Sequence, residues 1–362
     1  MAGMFALGVV AHTSGQPFTT IIDVPPDPGP STIGSDTQLN LSAGGFIANQ
    51  FLAGDPSGTS SNIEVNISDG ELGTDATAYN STVNISGGLV GKRLSVYDST
   101  LNISGGEVFT DGNSFLHFSV RAYDSTVNIH GGFVGTKLGI YDSTLNIFGG
   151  EVDKSAQANA GATVNISGGF VGSFLDTYAG STLNITGGEV NVFDTRAATN
   201  ISGDARVHGF IAWSGSTVNI SGGIVGRDWD NHPAKAVQAQ FNSTLNISGG
   251  DIGTKFVVSA MSTVNLIGTS FVLAGIDLTP GLSPGESVSI TDQDVYLEGL
   301  LADGSPFSFH IEENLSVLPD AIWTITLVPE PSILCVVAMG LMGILCRDRR
   351  YSANSYRHRY PA

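Results

Sequence analysis

The chemically mixed residues of this chain gather in one stretch. Arg227 to Ala239 contains R-D-W-D-N-H-P-A-K-A, which sets Asp228, Trp229, Asp230, His232 and Lys235 close together. Arg206 and His208 lie one or two turns of the repeat earlier. Paired carboxylates for proton transfer, an imidazole and a cation are what hydrolysis or elimination on an acidic polysaccharide requires. An aromatic face among them suits a sugar ring. The same residues also describe a solvated loop anchored by Trp229. Arg206, His208, Asp228, Trp229, Asp230 and His232 therefore form the candidate ligand patch, and Asp228, Asp230, His232 and Arg206 centre the enzymatic alternative, a polysaccharide lyase or glycosidase.

The other acids are mostly periodic, which points to structure rather than to a site. Glu107, Glu151, Glu189 and Asp251 each follow a Gly-Gly pair in copies of S-T-L-N-I-x-G-G, and Glu71 follows Asp-Gly in a degenerate copy. Alternate copies read S-T-V-N-I-x-G-G and carry Leu, Phe or Ile at that place. Stacked carboxylates about 4.8 Å apart would repel, and placing them on alternate turns roughly doubles that distance.

The elements that position these residues are repeats. The marking Asn recurs at 40, 66, 84, 102, 128, 146, 165, 184, 200, 219, 246 and 265, mostly 18 or 19 residues apart. Three steps are lengthened to 26 or 27 by insertions near 49–62, 109–120 and 227–239. A short fixed period is the mark of a solenoid, and insertions in it map to corner loops. Within each copy apolar and polar residues alternate, so Val83 and Ile85 share one face and Thr82, Asn84 and Ser86 the other. The Gly-Gly pair makes a tight corner, and Asp98-Ser99 makes another. The fold class is all-β: a parallel β-helix of about 18–19 residues per turn over 37–268, with Val and Ile inside and the Asn residues in one outer column. An aromatic five or six residues before each Asn (Tyr79, Tyr97, Tyr123, Tyr141, Tyr178, Trp213, Phe241) forms a second column. It reads as a stacked ladder, or as a sugar-binding stripe.

The flanks have their own signals. Residues 1–11 are apolar and end in Val-x-Ala, the end of a signal peptide without its basic leading region, and 12–36 is a Pro-rich linker. From 269 to 328 longer alternating runs are separated by Pro-Gly and Asp-Gly turns, predicting a small antiparallel β cap over the last open edge. Pro329, Glu330 and Pro331 are then followed by the apolar run 333–346 and by Arg347, Arg349 and Arg350, with a tail at 351–362. That apolar run predicts a single transmembrane helix with its arginines on the cytoplasmic side.

A Pro-Glu-Pro motif, an apolar helix and a basic end in that order over 329–350 resemble the PEP-CTERM sorting signal. The resemblance implies an exosortase-type sorting enzyme as partner and an inner-membrane precursor. It further implies delivery to the cell surface or extracellular matrix of a Gram-negative-type bacterium.

Composition narrows the function. Net charge is −18 with only 13% charged residues, which excludes nucleic acid as a partner. Both cysteines lie in the apolar C-terminal run, leaving no disulfide or zinc chemistry elsewhere. The Gly-Gly repeats lack the Asp of calcium-binding nonapeptides, since Lys92, Thr136 or Ser173 stands there instead. No P-loop, G-x-S-x-G or H-E-x-x-H is present, so no cofactor or metal is implied. The resulting expectation is a non-enzymatic surface or matrix protein, structural or adhesive, with polysaccharide as a candidate partner.

Overall fold

The computed structural model describes residues 17–109, 118–135, 137–227, 236–253, 256–259, 261–291, 294–311 and 321–329. Strands alternate with corners throughout, and the one helical element among the described residues is the short 3-10 turn Thr279–Gly281. In the first half of the stack a typical coil contributes three strands, as in Ser81–Ile85, Leu89–Val90 and Leu94–Tyr97, whereas from Thr163 onward some run together, as in Thr182–Thr195. Each strand pairs in parallel, residue for residue, with its counterparts on the neighbouring coils. Asn84 thus lies between Asn66 and Asn102, and Val90 between Leu72 and Val108.

Alternation in the sequence becomes alternation of environment. In Ser81–Ile85 the residues Ser81, Val83 and Ile85 are buried while Thr82 and Asn84 face outward. Ile67, Ile85, Ile103 and Ile129 form one continuous interior column. Each such side chain contributes about 1.5–3 kcal/mol through burial. The buried serine is the exception to apolar filling, and it has its partners. Ser99 Oγ donates to the Tyr97 carbonyl (2.6 Å) and accepts from the Ser81 backbone N–H (3.0 Å), a pattern repeated at Ser125. The residues just before these serines, Asn80, Asp98, Asp124 and Asp142, turn the corner at φ between 45° and 49°. Asn and Asp are the side chains that best tolerate that region.

The two glycines of each Gly-Gly corner are needed for different reasons. A Cβ on Gly87 would lie 2.2 Å from the Ser68 carbonyl oxygen of the coil next to it, so close stacking excludes it. Gly88 has φ +73°, where any side chain is strained.

The stack begins earlier than the sequence suggested. Thr20–Val24 pairs in register with Thr37–Leu41, and Thr32–Ile33 pairs with Leu52–Ala53. The stretch 12–36, expected as linker, therefore contains the first coil, whose strand T-I-I-D-V alternates like the others but has Asp23 at the Asn position.

One coil departs from the pattern. Thr199 occupies an interior position that Leu183 and Val218 fill on either side. Its hydroxyl lies 3.0 Å from Thr195 Oγ1, which in turn meets Thr177 Oγ1 at 2.8 Å, so the buried oxygens satisfy one another. Phe193 and Phe210 stack in the core beside them, ring centroids 4.9 Å apart.

The C-terminal cap is mixed rather than purely antiparallel. Val295–Leu301 pairs antiparallel with Pro306–Ile311 and with the second half of Thr263–Leu273. Ile322–Leu327, however, lies parallel to Thr263 through Gly268 and so adds one more rung, itself covered by the antiparallel strand Ser287–Ile290. Phe256, Phe307, Phe309 and Trp323 fill the space beneath with ring centroids 5.1–6.1 Å apart.

Candidate functional site

The column following the Gly-Gly corners has the expected alternation. In register it runs Phe46, Glu71, Leu89, Glu107, Phe133, Glu151, Phe170, Glu189, and each carboxylate is separated from the next by an apolar residue. Arg206 breaks it, standing between Glu189 and Ile224, with Asp251 beyond. Here unlike groups meet. His208, two residues on, is 2% exposed, and its Nε2 lies 2.9 Å from Glu189 Oε1. It braces Glu189 from below rather than sharing an exposed patch with Arg206.

Around Arg206 lies an open groove of about 540 Å³, lined by Asp204, Ile224, Asp251, Asp303, Ser305 and the corner glycines. The cap supplies its far wall. Asp303 Oδ2 accepts from Gly250 N (2.7 Å) and Ser305 Oγ (3.0 Å), and its Oδ1 accepts from Ser305 N (2.8 Å). Arg227 pairs with Asp251. The carboxylates of Glu189, Asp251 and Asp303 are thus engaged by protein groups. Of the predicted patch, Asp228, Trp229, Asp230 and His232 lie outside the described residues.

The aromatic column is a ladder over four coils. Tyr79, Tyr97, Tyr123 and Tyr141 stack with centroids 4.7–4.8 Å apart and planes within 14°. Each inner ring has both faces covered by its neighbours, so only edges and hydroxyls point outward. Burial, and then the neighbouring phenols, push the Tyr97 and Tyr141 hydroxyls above their ordinary value. Further along, the column is not purely aromatic. The Arg196 guanidinium is inserted between Tyr178 (5.7 Å) and Trp213 (5.2 Å). Phe241 falls out of register, because Gln240 occupies the rung after Trp213: its N–H bonds the Ala212 carbonyl.

Sequence reasoning missed the acids beside this ladder. Asp176 and Asp194 are in-register neighbours on adjacent coils. Trp213 Nε1 donates to Asp194 Oδ2 (3.2 Å), and Gln157 Nε2 donates to the Tyr178 hydroxyl (2.8 Å). Burial first, and then the Asp194 charge, raise the Asp176 carboxyl above the ordinary carboxylate range. A carboxyl that favours its proton, beside a second that accepts from the Trp213 indole, is an arrangement that general acid–base chemistry can use. The signal was present in F-L-D-T and V-F-D-T, which align once the register is known.

Of the sorting motif, Pro329 ends the described cap, while Glu330, Pro331, Arg347, Arg349 and Arg350 lie outside the described residues. The expected transmembrane helix lies outside them too. Among the described residues no helix is long and apolar enough to cross a membrane.

Comparison with known families identifies a PEP-CTERM protein-sorting motif at residues 327–350. That motif marks an exported protein whose precursor is membrane-anchored and processed by an exosortase-type sorting enzyme. No curated protein and no solved structure matches the chain significantly.

Proposed function

We propose that this PEP-CTERM-bearing chain is a non-enzymatic scaffold of the cell surface or extracellular matrix, a stiff stack of coils presented outside the cell after sorting. The observation that carries this reading is the side-chain ladder running without a break from Asp23 to Asn265. Each of its hydrogen bonds measures 2.7–3.0 Å. A ladder of one repeated group gives length and rigidity, whereas catalysis needs different groups converging on one point. The acidic surface supports a role among neutral polymers, or among anionic ones bridged by divalent cations. Polysaccharide contact is assigned to the break in the repeat around Arg206 and the loop Arg227 to Ala239.

A second reading, a glycosidase, is favoured by the Asp176–Asp194 pair. The deciding experiment incubates the full-length chain with a panel of neutral and anionic polysaccharides and measures reducing ends and unsaturated products. The scaffold reading expects no turnover. Turnover abolished by Asp176→Asn would establish the glycosidase, and turnover abolished by deleting residues 228–235, which spares the buried strand Val237–Ala239, would place a catalytic site in that insertion.

A further inference from the structure

The outward face of the Thr-x-Asn strands carries a pattern that the Asn ladder does not use. Thr82, Thr100, Thr126, Thr144, Thr163 and Thr182 stand in register on successive coils. After Ala198 the row resumes with Thr217, Thr244 and Thr263. Among the described residues these threonine hydroxyls make no hydrogen bond to the protein. The Asn column runs beside them, two residues along each strand.

Together the columns form a rectangular array. Its spacing along the stack is that of the tyrosine rings, 4.7–4.8 Å. Across the strand the spacing between residues i and i+2 is about 6.6 Å. The array is held still. Threonine is stiff at χ1, and each asparagine before Asn265 is tied to the coils on both sides. From Thr82 to Asn265 neither column contains an Asp, Glu, Lys or Arg, although the chain carries a net charge of −18. Charge begins only at the edge of the stack, with Glu64 and Asp23.

A charged side chain would impose its own hydration shell and stand proud of the sheet. Its absence from both columns suits a ligand that is itself neutral and periodic. We infer that this face binds ice. The oxygen rows on a prism face of ice repeat at an interval close to the spacing of the array along the stack. Free hydroxyls can take lattice positions for water oxygens while the threonine methyls fill the gaps between them. Crystalline neutral glycans also present hydroxyls, but their sugar repeat is longer than the coil spacing and drifts out of step over several coils. The inference stands whether or not the chain is a matrix scaffold.

The test uses the full-length chain in detergent micelles, with micelles alone as the blank, and measures the gap between melting and freezing together with crystal shape. The wild type should facet ice crystals and open a concentration-dependent gap. Thr126→Lys with Thr144→Lys should abolish both effects. Leu89→Lys should preserve them, since it places the same charge on another face at a residue 47% exposed. Circular dichroism separates a lost gap from a lost fold, and the single Thr144→Lys replaces the double variant if the latter unfolds. Wild-type chain that leaves ice unshaped overturns the inference, as does a gap that a folded lysine variant retains. Sedimentation with crystalline cellulose or chitin, with ice unaffected, would assign the face to a glycan and overturn it equally.

Discussion

Asn40 donates from Nδ2 to Oδ1 of Asp23 across 2.8 Å, and this contact sets the direction of the whole ladder. An ionised carboxylate can only accept. Asn40 must therefore turn its amide nitrogen toward Asp23 and its oxygen toward Asn66, whose Nδ2 meets it at 3.0 Å. The same constraint passes from each amide to the next as far as Asn265. The aligned amide dipoles end with their positive side on a negative charge, so the bonds polarise one another in one sense.

Interrupting the ladder should cost more in the middle than at its end. Asn128→Leu removes the donor to Asn102 and the acceptor for Asn146 (2.9 Å each). A loss of about 1–3 kcal/mol is expected from the partners left unsatisfied. Asn265→Leu breaks a single ladder bond and should cost less. Urea midpoints of the two variants decide this, and equal values would show that the ladder is not cooperative.

Ile103 lies in the interior column between Ile85 and Ile129 and is fully buried. Ile103→Asp places a carboxylate there with no partner, and destabilisation above about 4 kcal/mol is expected. An unchanged melting temperature would mean that the strand's two faces are reversed.

The tyrosine ladder should matter to stability and not to sugars. Tyr97 stacks on both sides and Tyr79, at the end of the run, on one. With each aromatic pair contributing about 0.5–1.5 kcal/mol, Tyr97→Ser should destabilise more than Tyr79→Ser. Replacing Tyr97, Tyr123 and Tyr141 together by Ser should leave glycan-array retention unchanged. Retention that disappears while the fold survives would make the column a sugar-binding stripe.

Asp176 should make stability fall as pH rises. Its folded carboxyl holds its proton above the ordinary value of 3.8 because of burial and the Asp194 charge. Below that value both folded and unfolded chains are protonated there and the site costs nothing. The penalty grows as pH climbs through the raised folded value, and above it is fully present. Asp176→Asn should therefore be more stable than the wild type at neutral pH, with the advantage vanishing in acid. An advantage independent of pH would contradict this origin.

Much of this architecture was legible because repetition leaves few choices of register. The Asn marks, the inward Val and Ile, the Gly-Gly corners and the alternating acids each follow from a local rule applied many times. The failures fall where the rule loosens. The first coil hid in a Pro-rich stretch because Asp23 replaces the marking Asn and no Gly-Gly follows. Phe241 was placed in the aromatic column by its distance from Asn246, but corner length varies, and it is Gln240 that follows Trp213. The parallel strand Ile322–Leu327 lacks the repeat's corners and so resembled ordinary cap sequence. Around Arg206, side-chain types were readable, but the burial of His208 beneath Glu189 depends on packing between coils, which no single repeat encodes.

Sorting is where the account is most directly exposed. Pro329, Glu330 and Pro331 lie within the matched motif at 327–350. Replacing all three with Ala leaves the apolar run able to insert while removing the feature that the sorting enzyme reads. Fractionation of cells producing this variant should find the chain retained in the inner membrane, with the wild type released to the surface or matrix. Release of the triple variant at the wild-type level would contradict exosortase-dependent export, and with it the placement of this stack of coils outside the cell.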